Sequence, residues 1–352
     1  MKLIEDFYLA LQNKDKEKLF DCVDKTLFQA NIQHTHQFPN IDAFTTYFFT
    51  KFTDYKVIDI TQYGAKYYTR FATGGKQYAA KFTIKNGNIV HYYQMPDDGR
   101  NRIKMSLSYN GHMYHGFQKQ NHHVTIQSVI EKTLKEALKE SIKVVSSGRT
   151  DRHVNAIAQV IHFDTSSLMP IEKYQYIINA ILPDDIYAYN IMNVPKAFHA
   201  RFDVQQKEYL YKLNTGPYDA TLTHNEWFIG SVNFDHLKNI LNDVIGTHDF
   251  YGFSKRPQTT NTIRTVDEIH VHQVTQHKIH IIIKAKGFLR HMVRYIVGAS
   301  VMIAQGKVDY ALKDVFDERD NEIIKTLANP SGLYLNKVFY EDSNDSIETI
   351  NI

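Results

Sequence analysis

The chain has 352 residues, 41 Lys plus Arg against 38 Asp plus Glu, and a formal net charge of +3 with its 18 histidines neutral. That length exceeds one ordinary core and implies two or three domains, and 43% hydrophobic with 22% charged residues excludes a disordered or fibrous chain. A single cysteine, Cys22, excludes an internal disulfide and fits a reducing cytoplasm; the acidic start Met1-Lys2-Leu3-Ile4-Glu5-Asp6 does not read as a secretory signal, and the apolar run Tyr295 to Ala304 is too short to span a bilayer.

From the start, Leu3, Phe7, Leu11, Leu19, Phe20 and Val23 recur at helical spacing, and Cys22 falls in that pattern as a core residue. Ile41 to Phe52 predicts a second helix, with Phe44, Phe48 and Phe52 four apart. Strands follow over Lys56 to Gln62, Lys66 to Ala72, Gln77 to Lys85 and Ile89 to Gln94. Gly74-Gly75 and Asn86-Gly87 supply the positive φ of tight hairpins. Residues 1–95 thus read as an α+β domain, two helices and an antiparallel meander. With its closing Lys85-Asn86-Gly87-Asn88-Ile89 hairpin it resembles a nuclear transport factor 2-like cone. The resemblance implies a ligand-binding or dimerisation module. Phe44, Tyr47, Phe48, Phe49, Tyr67 and Tyr68 would line its pocket or simply fill its core, and no acid/histidine pair there suggests chemistry.

Residues 96–102 have the composition of a linker, and Ile103 to Tyr109 starts a second region. Ser128-Val129-Ile130-Glu131 reads as a capping box ahead of the stripe Ile130, Leu134, Ala137 and Leu138. Strands are predicted at Ile269 to Val274 and Ile279 to Ala285, then a helix from Leu289 to Gln305 closed by Gly306. The mixture predicts an α+β fold around an antiparallel or mixed sheet, ending near Tyr340, with the acidic residues 341–352 as a frayed tail.

Chemistry concentrates at Gly148-Arg149-Thr150-Asp151, between the apolar runs Ile142/Val144/Val145 and Val160 to Asp164. A glycine turn with an arginine and a carboxylate between strands exposes both charges at a sheet edge. Asp151 suits a nucleophile, a general base or a metal ligand; Arg149 suits a phosphate or carboxylate partner. With Ser108-Tyr109-Asn110-Gly111, Tyr114, Gly116-Phe117-Gln118, Gln159-Val160, Leu182-Pro183-Asp184-Asp185-Ile186, Phe198-His199-Ala200-Arg201-Phe202-Asp203, Tyr209-Leu210-Tyr211, His248-Asp249-Phe250, Phe288-Leu289-Arg290-His291-Met292-Val293-Arg294 and Gly332-Leu333-Tyr334-Leu335, this stretch resembles the tRNA pseudouridine synthase A family over about residues 104–340.

The resemblance implies two α/β subdomains, 103–200 and 201–340, with a central cleft. It also implies isomerisation of uridine to pseudouridine in the anticodon arm of tRNA, at nucleotides 38 to 40, by a cytoplasmic homodimer. The reaction breaks C1′–N1 and makes C1′–C5 with no redox change or net hydrolysis, so no cofactor or metal is required. By match to the family's motifs, Asp151 is the catalytic carboxylate and Arg294 keeps it ionised and oriented. Tyr209 stacks on the flipped base and assists loss of the C5 proton, Leu333 packs on the uracil, and Arg149 and Arg201 bind the substrate.

Five positions depart from the family's habit. Arg152-His153-Val154-Asn155-Ala156 stands where Ala-Gly-Val-His-Ala is usual, which matters if His153 must adopt positive φ. Asn110 replaces a common aspartate, and Ala158 a glycine. These changes motivate an alternative, a tRNA-binding protein on the same scaffold with impaired catalysis. His112, His115, His122 and His123, and separately His270 and His272, lack any known zinc spacing, so no metal is expected; the first group suits RNA phosphates and the second the polar face of a strand.

Overall fold

A computed structural model describes residues 1–33, 36–255, 261–318, 323–324 and 326–341. The tail expected to fray, 342–352, lies outside the described residues.

The N-terminal unit has three helices, α1 (Lys2–Asn13), α2 (Lys16–Asp21) and α3 (Ile41–Lys51), and six strands, β1 (Gln29–Ile32), β2 (His36–Phe38), β3 (Lys56–Tyr63), β4 (Lys66–Thr73), β5 (Lys76–Lys85) and β6 (Asn88–Pro96). They form one sheet in the order β2-β1-β6-β5-β4-β3. The first helical pattern is not continuous. Lys14 turns left-handed at φ 53°, and Asp15 caps a new helix by accepting from the Lys18 amide. The predicted meander is present, with all four turn residues Gly74, Gly75, Asn86 and Gly87 at positive φ. β1 and β2 add to it, β1 running parallel to β6. The aromatic residues Phe7, Phe44, Phe48, Phe82 and Tyr92 pack on one another, so the inside of this α+β unit is filled as a core. Cys22 is buried in it, which pushes its thiol up to about 11.

The second region comprises β7 (Asn101–Tyr109), α4 (Ile126–Leu138), β8 (Val145–Ser146), β9 (Asn155–Thr165), α5 (Ile171–Asn179), β10 (Ile186–Val194), β11 (Val204–Asn214), β12 (Trp227–Phe228), α6 (Phe234–Asn242), β13 (Gly246–Asp249), β14 (Ile263–Thr275), β15 (Lys278–Ala285), α7 (Met292–Ala304), α8 (Leu312–Glu318) and β16 (Leu333–Tyr340). One mixed sheet runs β10-β7-β9-β16-β11-β15-β14-β13, with β8 beside β9 and β12 beside β11. Its two halves meet at a short parallel seam, Tyr334 opposite Asn155 and Leu335 opposite Ala156. Each half has its own apolar core. α4 and α5 contribute Ile130, Leu134 and Ile178 to the first, and α6 and α7 contribute Leu237, Ile296 and Val297 to the second.

Two local expectations shift. The capping box belongs to Thr125, whose side chain and that of Ser128 bond each other's backbone amide, so α4 starts earlier; Glu131 instead accepts from Gln127 and the Val144 amide. The linker-like stretch contracts to residues 97–100, because Pro96 closes β6 and Asn101 opens β7. The N-terminal sheet therefore packs closely on the second region. Tyr68, Ala79 and Tyr93 join the same apolar cluster as Ile103, Met105 and Phe198, and the Tyr63 hydroxyl meets Met192 Sδ at 3.7 Å. No helix among the described residues is long and apolar enough to cross a membrane.

Candidate active site

Asp151 sits on the loop between β8 and β9, near the seam between the two half-sheets. The loop is braced from below. Buried Gln159 donates to the Gly148 carbonyl at 2.9 Å and receives the Ser147 hydroxyl at 2.7 Å, and Thr150 shares a 2.8 Å hydrogen bond with the Tyr109 hydroxyl. A second loop, residues 110–117, lies against it backbone to backbone. A Cβ on Gly111 would fall 2.1 Å from the Val154 oxygen, and one on Gly116, at φ 84°, 2.8 Å from the Thr150 oxygen. Glycines at both positions permit this approach, and the Phe117 amide donates to the Thr150 carbonyl at 3.1 Å.

From the other half of the sheet, α7 brings two cationic or titratable groups to Asp151. Arg294 Nη1 lies 3.7 Å from its Oδ2, and His291 Nε2 lies 3.5 Å from its Oδ1. Asp151 keeps 27% of its side-chain exposure, whereas His291 and Arg294 keep 10% and 11%, so the carboxylate opens to the cleft and its partners lie behind it. Arg294 is fixed by its Nε, which donates to the Ala328 carbonyl at 2.9 Å. His291 occupies the cap position of α7 at φ 65°, and its buried Nδ1 has no hydrogen-bond partner among the described residues. Burial lowers its pKa below the ordinary histidine value, against the opposing pull of Asp151.

Tyr209 stands on β11 opposite Leu335, edge-on to Phe288 at 5.0 Å. Burial first, and the nearby Asp151 charge second, push its phenol well above the usual tyrosine range. Leu333 begins β16, opposite Tyr211, and is 4% exposed within the second core. Arg149 and Arg201 share the wall of a cavity of about 250 Å³ with Phe117, Gln118, Gln127 and Ser146. Burial and then the Arg149 charge lower the pKa of Arg201. Thus the structure brings Asp151, Arg294 and Tyr209 together, places Arg149, two residues before Asp151, in one cavity wall with Arg201, and seats Leu333 in the second core.

Two neighbours carried no role in the sequence reading. Lys207 lies two residues before Tyr209, on the same face of β11. Its Nζ reaches within 3.0 Å of where a Gly148 Cβ would stand, and burial followed by Arg201 pushes it down to about 8. Alternation with Tyr209 was the signal available for it. His291, three residues before Arg294, lies inside the motif Phe288 to Arg294.

The unusual loop residues are built in. His153 adopts φ 64°, and its Nδ1 pairs with the His112 carbonyl at 2.6 Å. Buried Asn155 accepts from the Gly111 amide at 2.7 Å and donates to the Ser331 carbonyl at 2.8 Å, tying both loops to the seam. Asn110 accepts from the His112 amide at 3.0 Å. Around them the His112 and His224 rings meet tilted at 3.4 Å and His115 stacks on His123 at 4.1 Å; burial lowers the pKa of His112 and His115, each with help from its ring neighbour. Among the described residues no three His, Cys, Asp or Glu side chains are grouped to hold a metal. His270 and His272 lie on the exposed face of β14, alternating with buried Ile269 and Val271.

Residues 105–203 and 240–341 match the family described as tRNA pseudouridine synthase. The tRNA pseudouridine synthase A of Thermoanaerobacter sp. (strain X514) is 35% identical over 242 residues, 68% of this chain and 99% of that protein. That of Bacillus subtilis (strain 168) is 36% identical over 247 residues, 68% of this chain and 100% of that protein. Both relatives are covered almost completely by a part of this chain, and residues 1–104 lie outside the family match. An NTF-2 like protein of unknown function from Burkholderia xenovorans LB400 aligns with 28% of this chain and 81% of its own at 16% identity, with a TM-score of 0.25, a likeness too small to carry an argument.

Proposed function

The chain belongs to the tRNA pseudouridine synthase family, and from that premise we propose that it isomerises uridine to pseudouridine in the anticodon arm of tRNA, at nucleotides 38 to 40. The observation that carries this reading is the convergence on Asp151 of Arg294 and His291 from α7 and of Tyr209 from β11, across a cleft between two half-sheets. Asp151 supplies the carboxylate that assists cleavage of the glycosidic bond. Arg294, tied to the Ala328 carbonyl, orients that carboxylate while it acts. Tyr209 stacks on the extruded uracil. Its phenol stays protonated at neutral pH, so it takes the C5 proton only while passing its own to the Asp151 carboxylate, freed once the C1′–C5 bond has formed. Arg149 and Arg201 hold phosphates beside the flipped nucleotide, Lys207 adds charge beneath them, and Leu333 supplies apolar wall.

The enzyme acts in the cytoplasm as a homodimer, with one tRNA touching both subunits. Pseudouridine mapping on unmodified tRNA transcripts tests the reading. Signal in the anticodon arm with the parent and none with Asp151→Ala, at retained tRNA binding, is expected; equal product from the variant would remove Asp151 from its role. The altered loop Arg152 to Asn155 supports a second reading, a tRNA binder without turnover, for which the parent itself would give no signal.

A further inference from the structure

The N-terminal unit, outside the family match, contacts the turn that carries Arg201. Residues 199–203 form a tight turn: the His199 amide donates to Asp203 Oδ2 at 2.7 Å, and the Asp203 amide to the His199 carbonyl at 3.0 Å. Arg201 is exposed within that turn, on the wall of the cavity it shares with Arg149. Asp203 itself is buried, with 6% of its side chain exposed. Its charge is met from β4 and β5 of the N-terminal unit. Lys81 bonds its Oδ1 directly, and Lys66 stands 3.6 Å from the same atom and 3.2 Å from Glu341. Both lysines are nearly buried, 5% and 9% exposed. The second region pins the rest of the turn. Arg102 donates to the Phe198 carbonyl at 2.7 Å, the Tyr340 hydroxyl to the Ala200 carbonyl at 2.6 Å, and the Ala200 amide to His162 Nδ1 at 3.1 Å.

A buried carboxylate left without its cations seeks another, and Arg201 is two residues away in the same turn. We propose that Lys66 and Lys81 are positioning residues for tRNA binding: by neutralising Asp203 they leave Arg201 free to face RNA, so the N-terminal unit completes the binding cleft. Burial pushes the Lys81 ammonium down, and the Asp203 charge opposes that shift. Burial opposes ionisation of Asp203, yet Lys81 and Lys66 hold it below the ordinary carboxylate range. This inference rests on the reading that Arg201 binds tRNA phosphate.

The test is a cycle of full-length Arg201→Ala, Lys66→Met/Lys81→Met and the triple variant, reading KM for tRNA, kcat and the salt dependence of binding. Arg201→Ala should raise KM about five-fold and lower the salt slope by about one, as for one lost phosphate contact. The lysine pair should do the same with kcat retained, and the triple variant should be no worse than either. A shared structural weakness would instead add its effects and lower kcat. Additive losses, or a lysine pair that binds like the parent, overturn the proposal while the role of Arg201 stands. An Arg201→Ala protein that binds normally overturns both. Should the lysine pair fail to fold, Lys66→Met/Lys81→Met/Asp203→Asn removes the buried carboxylate together with its cations: with nothing to capture Arg201 it should bind tRNA like the parent, and a loss equal to that of Arg201→Ala would overturn the proposal.

Discussion

Arg294 lies 3.7 Å from Asp151 through one guanidinium nitrogen while another donates to the Ala328 carbonyl at 2.9 Å. One side chain thus spans the cleft's carboxylate and the segment that leads into β16. Only a planar fork can serve both directions at once. Arg294→Lys should therefore lower kcat by about 100-fold, with a smaller change in KM, because the charge survives but its aim does not. Steady-state pseudouridine formation with saturating tRNA decides this; activity near the parent level would show that charge alone suffices.

Lys207 yields a pH dependence. Its folded pKa, about 8, lies below its value of 10.5 in the unfolded chain. Between those values the unfolded chain binds more protons, so this group's contribution to stability rises with pH. Binding moves oppositely: charge beside Arg149 and Arg201 is lost as pH rises through 8, and tRNA affinity should fall several-fold between about pH 7 and 9. Lys207→Met should flatten that profile at the weaker, high-pH affinity. An unchanged slope in titrations of tRNA binding would exclude Lys207 from the phosphate site.

His153 tests the backbone against the side chain. A non-glycine residue in the left-handed region costs about 1 kcal/mol, and the bond to the His112 carbonyl returns about the same. His153→Gly should therefore leave stability within about 1 kcal/mol of the parent, whereas His153→Ala, strained and unbonded, should lose about 1 kcal/mol more than the glycine variant. Denaturant midpoints of the two variants make the comparison; equal values would show that the conformation carries no strain.

Asn155 is a structural bridge. Asn155→Ala leaves the Gly111 amide and the Ser331 carbonyl without their partner and should cost about 2–3 kcal/mol. Both loops around Asp151 would loosen, so turnover should fall beyond what the stability loss explains. Thermal unfolding paired with activity well below the melting range checks both halves of the expectation.

Local chemistry made part of this architecture legible. Gly74-Gly75 and Asn86-Gly87 announce their turns because few other residues tolerate positive φ there, and the four-residue spacing of Phe44 and Phe48 marks a helix face, with extended Phe52 just past its end. Asp151, Arg294 and Tyr209 could be named through motifs, and they do converge. Long-range pairings left no such trace. Nothing local in Gln29–Ile32 announces a parallel partner in β6, and nothing in Lys66 or Lys81 points to a carboxylate more than a hundred residues away. The break at Lys14 was hidden for the opposite reason: apolar spacing persists across it, and only the backbone reverses.

β16 also sets an order of events. It lies between β9 and β11, which share no direct pairing among the described residues, and it follows both in the chain. On the ribosome, each half-sheet can gather its own helices while β16 is still unmade. Asp151 and Arg294 then belong to two separately settling bodies. Insertion of one late strand brings them face to face, so a nascent chain carries both groups well before it carries an active site.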